Sequence, residues 1–414
     1  MSSLKPVRGT HDILSEEMAR HRHVEETAHD VARLYGFAEI STPIFEFTEV
    51  FSRTLGDTSD VVTKEMYTFD DKGGDSITLR PENTAGVARA LISNGLTQHL
   101  PLKFFYRGPM FRYERPQKGR HRQFHQIGVE LMGVAGPLAD VEVIALGAHI
   151  LETLGVADKA SLELNSLGDS ASRKAYRDKL VEYLRDRQEE LSDDSRARLD
   201  RNPLRILDSK DEGDRRIVAN APLMSASLND DSKRFFDDMV EELETASIAY
   251  RINPRLVRGL DYYCHTAFEF ISEALGAQGA VVAGGRYDGL IEQMGGSAIA
   301  GTGWAAGVER LAMLIGEPKK APRPIAVVPV GEAASSPALA LTQRLRRAGF
   351  VVDMGYLGNM GKRMKRANKL KACAAVLLGE DELAHDAATV RDMDSGEQLE
   401  VPMQFLEDHL GRYR

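Results

Sequence analysis

"FRYERPQKGRHRQFHQIGVELMG", residues 111–133, changes character halfway along. Its first part carries Arg112, Arg115, Lys118, Arg120 and Arg122 against a single acid, Glu114. Its second part alternates, with Gln126, Gly128 and Glu130 on one face of an extended strand and Ile127, Val129 and Leu131 on the other. The preceding run "KFFYRGPMFRYE" (103–114) is rich in aromatics, so the two together predict a long hairpin with a basic loop at its tip. "EMYTFDDKGGDSITLRPE" (65–82) predicts another hairpin around an Asp/Lys/Gly/Gly/Asp turn, and "TAFEFI" and "GAVVAGGRYDGL" add strands. "FAEISTPIFEF" (37–47) reads as extended, with Pro43 placing it at a sheet edge or an interface. Ahead of it, Val24, Ala28, Val31 and Tyr35 fall at helical spacing, which predicts a helix over 16–35 with Ser15 as N-cap. The fold class is therefore α+β, a mostly antiparallel sheet with helices.

Residues 170–250 differ. Their density of charge ("RDKLVEYLRDRQEELSDDSRARLDR") predicts solvated helices, inserted within a first domain of residues 1–320. The Pro/Lys-rich stretch "LIGEPKKAPRP" is a linker. Beyond it, strands such as "IAVVPV" and "AAVLLG" alternate with helices, so residues 321–414 predict a small parallel α/β domain. Its segment "KRMKRANKLK" (362–371) has six basic residues and no acid. Lys362, Lys365, Arg366 and Lys369 share one helix face, although a charged helix is ordinarily just a solvated one.

The net charge of −9 over 414 residues excludes a generally basic nucleic-acid binder but leaves room for local basic sites. The two cysteines, Cys264 and Cys373, supply neither a disulfide framework nor a Cys-rich zinc site. No apolar leader opens the chain and no run approaches membrane-spanning length, so a complete, cytoplasmic protein is expected.

Several catalytic signatures are absent, among them the G-x-S-x-G elbow and the G-x-x-x-x-G-K-[ST] phosphate loop. "GTGWAAG" (301–307) has the wrong spacing for a dinucleotide fingerprint, and its glycines are read as close helix–sheet packing. His121 and His125 form a potential metal pair, but no third ligand lies nearby, so no metal site is assigned and a polar loop role is expected. Arg112, Arg258 in "LVRGLDYY" and Arg310 in "GVERLAML" each sit at the edge of an apolar element. A buried guanidinium needs an anion. Three of them from separate segments, with Gly-rich approaches nearby, favour a polyphosphate ligand over three separate structural salt bridges. Gln126 and Glu130 suit a small ligand with hydrogen-bond donors, while a solvent-facing strand gives the same alternation.

With these residues in view, the chain resembles a class II aminoacyl-tRNA synthetase and, within that class, a histidyl-tRNA synthetase. The similarity runs from "VRGTHDIL" to "GEQLEV". Segments like the three class II motifs occur in order: the long helix with "ISTP", the "FRYERPQKGRHRQFHQIGVE" hairpin, and "GWAAGVERL". "TLRPENTA" resembles the family's amino-acid loop, "RGLDYY" its histidine-specific segment, and "NPLRILDSK" a part of its insertion.

The resemblance implies activation of L-histidine by ATP, with Mg²⁺, to histidyl-adenylate, then transfer to the 3′ end of tRNA(His). It implies that Arg112 grips the α-phosphate and the histidine carbonyl, Arg258 approaches the α-phosphate from the other side, and Arg310 holds the γ-phosphate. Glu82 and Thr84 would receive the α-ammonium group, with Gln126 also on the substrate backbone. Glu130 and Tyr263 would bind the imidazole nitrogens, with Tyr262 and Tyr287 lining the pocket. Arg115 and Gln117 would meet the tRNA acceptor end, and the C-terminal domain the anticodon arm. The first motif implies a homodimer. The sequence departs from the family pattern at Asn83, where glycine is usual, and at Cys264, where asparagine or threonine is common. The rival reading is a histidine-sensing regulatory paralogue that partners a phosphoribosyltransferase; retention of Arg112, Arg258, Arg310 and a C-terminal domain weighs against it.

Overall fold

A computed structural model describes residues 4–56, 61–258, 260, 262–317 and 322–414. Gly259 and Asp261 of "RGLDYY", and residues 318–321 of the linker, therefore lie outside the described residues. The chain divides into two compact units, Met1–Pro318 and Lys319–Arg414.

In the first unit the strands are β1 (Ala38–Glu39), β2 (Phe45–Phe47), β3 (Tyr67–Asp70), β4 (Ser76–Leu79), β5 (Leu102–Phe111), β6 (Gln123–Met132), β7 (Ser161–Ser166), β8 (Arg251–Ile252), β9 (Cys264–Ile271), β10 (Ala280–Arg286) and β11 (Gly301–Gly307). Eight of them form one sheet in the order β1-β5-β6-β11-β10-β9-β7-β8, while β2, β4 and β3 form a small separate sheet. Pairing in the large sheet is antiparallel except at its two ends, where β1 runs parallel to β5 and β8 parallel to β7. Both predicted hairpins are present, as β3–β4 and as β5–β6 with the basic loop at its tip.

The sheet is buried on both faces. Ile127, Val129 and Leu131 pack with Val24, Ala28 and Val31 of the helix Ser15–Leu34 and with the helix Leu138–Thr153. On the other face Tyr106, Met132, Tyr262, Tyr263 and Tyr287 pack with the helix Thr84–Ser93. Both faces of β6 therefore leave water, which answers the ambiguity of its alternating pattern: Glu130 is 0% exposed. The first helix begins one residue earlier than predicted. Leu14 is its N-cap and Ser15 its first residue, with φ 40° and no side-chain cap, because no hydroxyl occupies the capping position.

One ion pair fastens β10 to the long helix behind the sheet. Arg286 and Asp140 are both 0% exposed, and the guanidinium donates to Asp140 Oδ2 from Nε at 3.0 Å and from Nη2 at 2.5 Å. The carbonyls of Val134 and Gly136, Asp288 Oδ1 and the Thr302 hydroxyl satisfy the remaining groups. Removing one partner strands a buried charge, at a cost of about 3–5 kcal/mol. Asp140→Ala is therefore expected to lower the denaturant midpoint of the first unit sharply, followed by circular dichroism.

Residues 170–250 supply helices Ser170–Arg185, Asp193–Arg198 and Glu212–Val218, which close on their own small core of Tyr176, Leu180, Leu184 and Ile206, and helix Asp230–Thr245, whose Met239 and Leu243 join the main core instead. In the second unit the strands are β12 (Ile325–Pro329), β13 (Val352–Met354), β14 (Ala374–Leu378), β15 (Ala387–Asp392) and β16 (Gln398–Pro402), in the order β13-β12-β14-β15-β16. The first three are parallel, as the alternation predicts, whereas β15 and β16 join as an antiparallel hairpin. That hairpin was missed because its strands follow one another with no long helix between them.

Candidate active site

A cavity of about 720 Å³ opens above the middle of the large sheet. Glu82, Thr84, Arg112, Gln126, Arg258, Tyr262, Tyr263 and Arg310 all stand on its wall, drawn from five segments of the chain. Glu130 and Tyr287 do not; they lie beneath the wall, hydrogen-bonded to it. Arg115 and Gln117 are exposed on the hairpin loop, away from the wall.

The polar floor is built around one carboxyl. The Thr84 hydroxyl donates to Glu130 Oε1 at 2.7 Å, and the Tyr287 hydroxyl donates to Oε2 at 2.5 Å. Burial lifts the Glu130 carboxyl to about 8, against those two hydrogen bonds. Room for it comes from β11: a Cβ on Gly303 would meet Glu130 Oε2 at 2.0 Å. Gly128 likewise makes way for Tyr106, whose hydroxyl would stand 2.3 Å from an added Cβ. The glycines of β11 thus clear space for site side chains, not for helix packing as the sequence suggested.

Beside it, Glu82 accepts the backbone N–H of Thr84 at 2.8 Å and of Ala85 at 2.9 Å, at the start of the helix Thr84–Ser93. Burial raises its pKa as well. Asn83 follows with φ −119°, a conformation open to any residue, and its Oδ1 accepts the Thr42 hydroxyl at 2.6 Å. Glycine is therefore not required there. Gln126 Oε1 is buried without a hydrogen-bond partner, which is costly unless a ligand supplies one.

The rest of the wall is cationic. Arg112 is held by the Pro81 carbonyl at 2.9 Å and lies over the Phe124 ring at 5.2 Å. Arg310 donates to the Ala280 carbonyl at 2.7 Å, and its pKa is lowered by burial and then by Arg120 and Arg112. Mutually repelling guanidiniums in one cavity suit a multiply charged anion. Arg258 pairs with Glu269 and sits 5.3 Å over the Tyr263 ring. Cys264, whose thiol burial pushes up to about 12, is no nucleophile.

The sequence reading missed several members. Arg120 was counted only as loop charge, and Glu269 was one acid in an apolar strand. Tyr106 shows nothing in sequence that separates it from a core aromatic. Arg205, Asp208 and Lys210 of the insertion also reach the cavity wall, and "NPLRILDSK" was the only pointer to them.

An antiparallel sheet that carries an arginine-bearing hairpin, an anchoring arginine at the head of the following helix and a carboxylate-lined pocket defines a class II aminoacyl-tRNA synthetase. Family models agree: the one for histidyl-tRNA synthetase matches residues 9–311 and the one for an anticodon binding domain matches residues 324–412. The chain is 62% identical to a histidine--tRNA ligase of Rhodospirillum rubrum over all 414 residues and the whole of that protein. It is 58% identical to the one of Gluconacetobacter diazotrophicus over 99% of each. Among solved structures, apo histidyl-tRNA synthetase of S. aureus superposes with TM-score 0.82 at 35% identity, over 98% of this chain and 99% of that one. A Bacillus halodurans chain titled as an ATP phosphoribosyltransferase regulatory subunit/histidyl-tRNA synthetase shares the fold at TM-score 0.65 but only 21% identity, over 87% of this chain and 97% of that one. The chain belongs to the histidyl-tRNA synthetase family.

Proposed function

We propose that this chain activates L-histidine with ATP and transfers it to tRNA(His), with the cavity of the first unit as its reaction site. The observation that carries the reading is the buried Glu130 carboxyl set beside a cluster of arginines: an acceptor for an N–H-bearing side chain next to a seat for polyphosphate.

In this scheme the α-ammonium group goes to Glu82, and the orphaned Gln126 Oε1 accepts one of its N–H bonds. The imidazole reaches Glu130 by replacing the Thr84 hydroxyl, and Tyr263 meets the other ring nitrogen, with Tyr262 and Tyr287 holding the walls. The carboxylate of histidine attacks the ATP α-phosphorus in line and pyrophosphate leaves. Arg112 and Arg258 stabilise charge on the α-phosphate from two sides, and Arg310 holds the γ-phosphate. Arg258 exchanges Glu269 for phosphate as the nucleotide settles. Mg²⁺ would neutralise charge on the leaving pyrophosphate. Glu114 stays paired with Arg120, while Glu269, released by Arg258, would be free to join phosphate oxygens and water as a ligand.

The terminal ribose hydroxyl of the tRNA then attacks the activated carbonyl, with Arg115 and Gln117 of the exposed loop contacting the acceptor end. The second unit would take the anticodon arm. Lys362, Lys365 and Lys369 are exposed there beside exposed Tyr356, a basic and aromatic surface suited to RNA. Arg366 instead pairs with Asp353 through two bonds of 2.9 Å. A homodimer fits the first unit, since Phe45, Phe47 and Phe69 of the small sheet are 50–58% exposed. Among the described residues no helix is long and apolar enough to cross a membrane, and a cytoplasmic site of action is proposed.

Charging of a tRNA(His) transcript with labelled histidine tests the reading; failure to charge it would overturn it. Within the same scheme, Arg173 of the insertion donates to the Tyr263 carbonyl at 2.7 Å and fixes the pocket wall. Arg173→Ala should raise the KM for histidine about tenfold with little change in kcat, the loss of one charged hydrogen bond.

A further inference from the structure

A second group of ligating side chains lies at the edge of the cavity, behind the basic hairpin. His21 of the helix Ser15–Leu34, His125 of β6 and Glu309 of the helix Val308–Leu314 each bring one ligand atom within 4.8 Å of the others. They come from three distant parts of the chain, which is why the sequence offered no third ligand for His125.

His125 and Glu309 have a structural explanation. The His125 backbone N–H donates to Glu309 Oε1 at 2.9 Å and to Oε2 at 3.1 Å, and the His125 Nδ1 stands 3.0 Å from Oε1. His21 has none. Its side chain is 2% exposed and meets the His125 ring edge-on at 5.6 Å, and among the described residues its ring nitrogens have no hydrogen-bond partner. A neutral imidazole in that position has a lone pair to offer a metal.

We propose that His21, His125 and Glu309 form a binding site for a zinc-class transition-metal ion, distinct from the histidine and ATP sites. Two imidazoles and one carboxylate are a zinc-type donor set, with a fourth position left to water. Two ligand atoms on a tetrahedral zinc are about 3.3 Å apart, close to the separation His125 Nδ1 and Glu309 Oε1 already have. On binding, Oε1 turns to the metal while Oε2 keeps the His125 N–H, and the proton shared between Nδ1 and Oε1 leaves to solvent. Glu309 and the neighbouring His121 line the large cavity, which gives the ion a path. A bound ion would clamp together the elements that carry Gln126 and Arg310.

The test uses the full chain, stripped of metal by chelation and titrated calorimetrically with ZnCl₂, with Co²⁺ absorption spectra alongside. The expected result is one equivalent of Zn²⁺ at micromolar affinity or tighter and an intense four-coordinate Co²⁺ spectrum. His21→Asn should weaken binding at least about tenfold and lose that spectrum, and His125→Gln should do the same. No saturable binding, a weak six-coordinate Co²⁺ spectrum in the unmutated protein, or a His21→Asn variant that binds like it would each overturn the assignment. Because the cobalt spectrum of the unmutated protein decides by itself, the test stands even if a variant fails to fold.

Discussion

Glu130→Ala should lower kcat/KM for histidine in ATP–pyrophosphate exchange by about 10³–10⁴-fold and leave the circular dichroism spectrum unchanged. A site built to hydrogen-bond a substrate N–H rejects what lacks the match by factors of this size, because its polar groups are otherwise left buried and unpaired. Here the loss runs the other way: the substrate imidazole enters a floor that no longer accepts its proton. The fold survives because the hydroxyls of Thr84 and Tyr287 lose one acceptor each, with no buried charge left behind. A pH profile gives a second reading of the same group. With its carboxyl lifted to about 8 by burial, Glu130 is mostly protonated in the free protein at neutral pH. The ionised carboxylate is the stronger acceptor of an N–H, so kcat/KM for histidine should rise with pH and its rising limb should bend near 8. A flat profile across that range, or an alanine variant as active as its parent, removes Glu130 from the pocket.

Arg258→Ala should lower kcat for exchange by about 10²–10³-fold with a smaller effect on the KM for histidine. Charge builds on the α-phosphate only as adenylate forms, so the lost interaction belongs to the transition state. Single-turnover adenylate formation separates the two effects. A variant that lost affinity for histidine but kept its rate would make Arg258 a ground-state contact, a partner of Glu269 and Tyr263 alone. Arg258→Lys should recover little, since a lysine cannot supply the guanidinium's fork to a phosphate.

Much of this was legible in the chain itself. The hairpin of residues 103–133 was plain because β-branched and aromatic residues alternate on both sides of a polar, Gly-containing loop, and eight of the residues the resemblance names fall together on one cavity wall, with Glu130 and Tyr287 beneath it. What was hidden was depth. Period-2 alternation separates two faces of a strand but does not say which is covered, so Gln126 and Glu130 could have faced water until the helix Thr84–Ser93, Tyr287 just after β10 and the tyrosines of the "RGLDYY" segment closed over them. The Arg286–Asp140 pair was equally invisible: 146 positions separate its members, and nothing local marks either as buried. His21 shows the same limit, since a histidine in an amphipathic helix looks like any other until the opposing strand is in place. The glycines of β11 were seen but misassigned, because a need for close approach does not reveal what approaches.

The claim that the cavity reads histidine is tested most directly by ATP–pyrophosphate exchange with each of the twenty amino acids in turn. The account predicts exchange with histidine and background rates with the other nineteen. Binding of histidine without any exchange would contradict it and favour a histidine-sensing role, and exchange driven by a different amino acid would contradict the assignment of Glu130 to an imidazole.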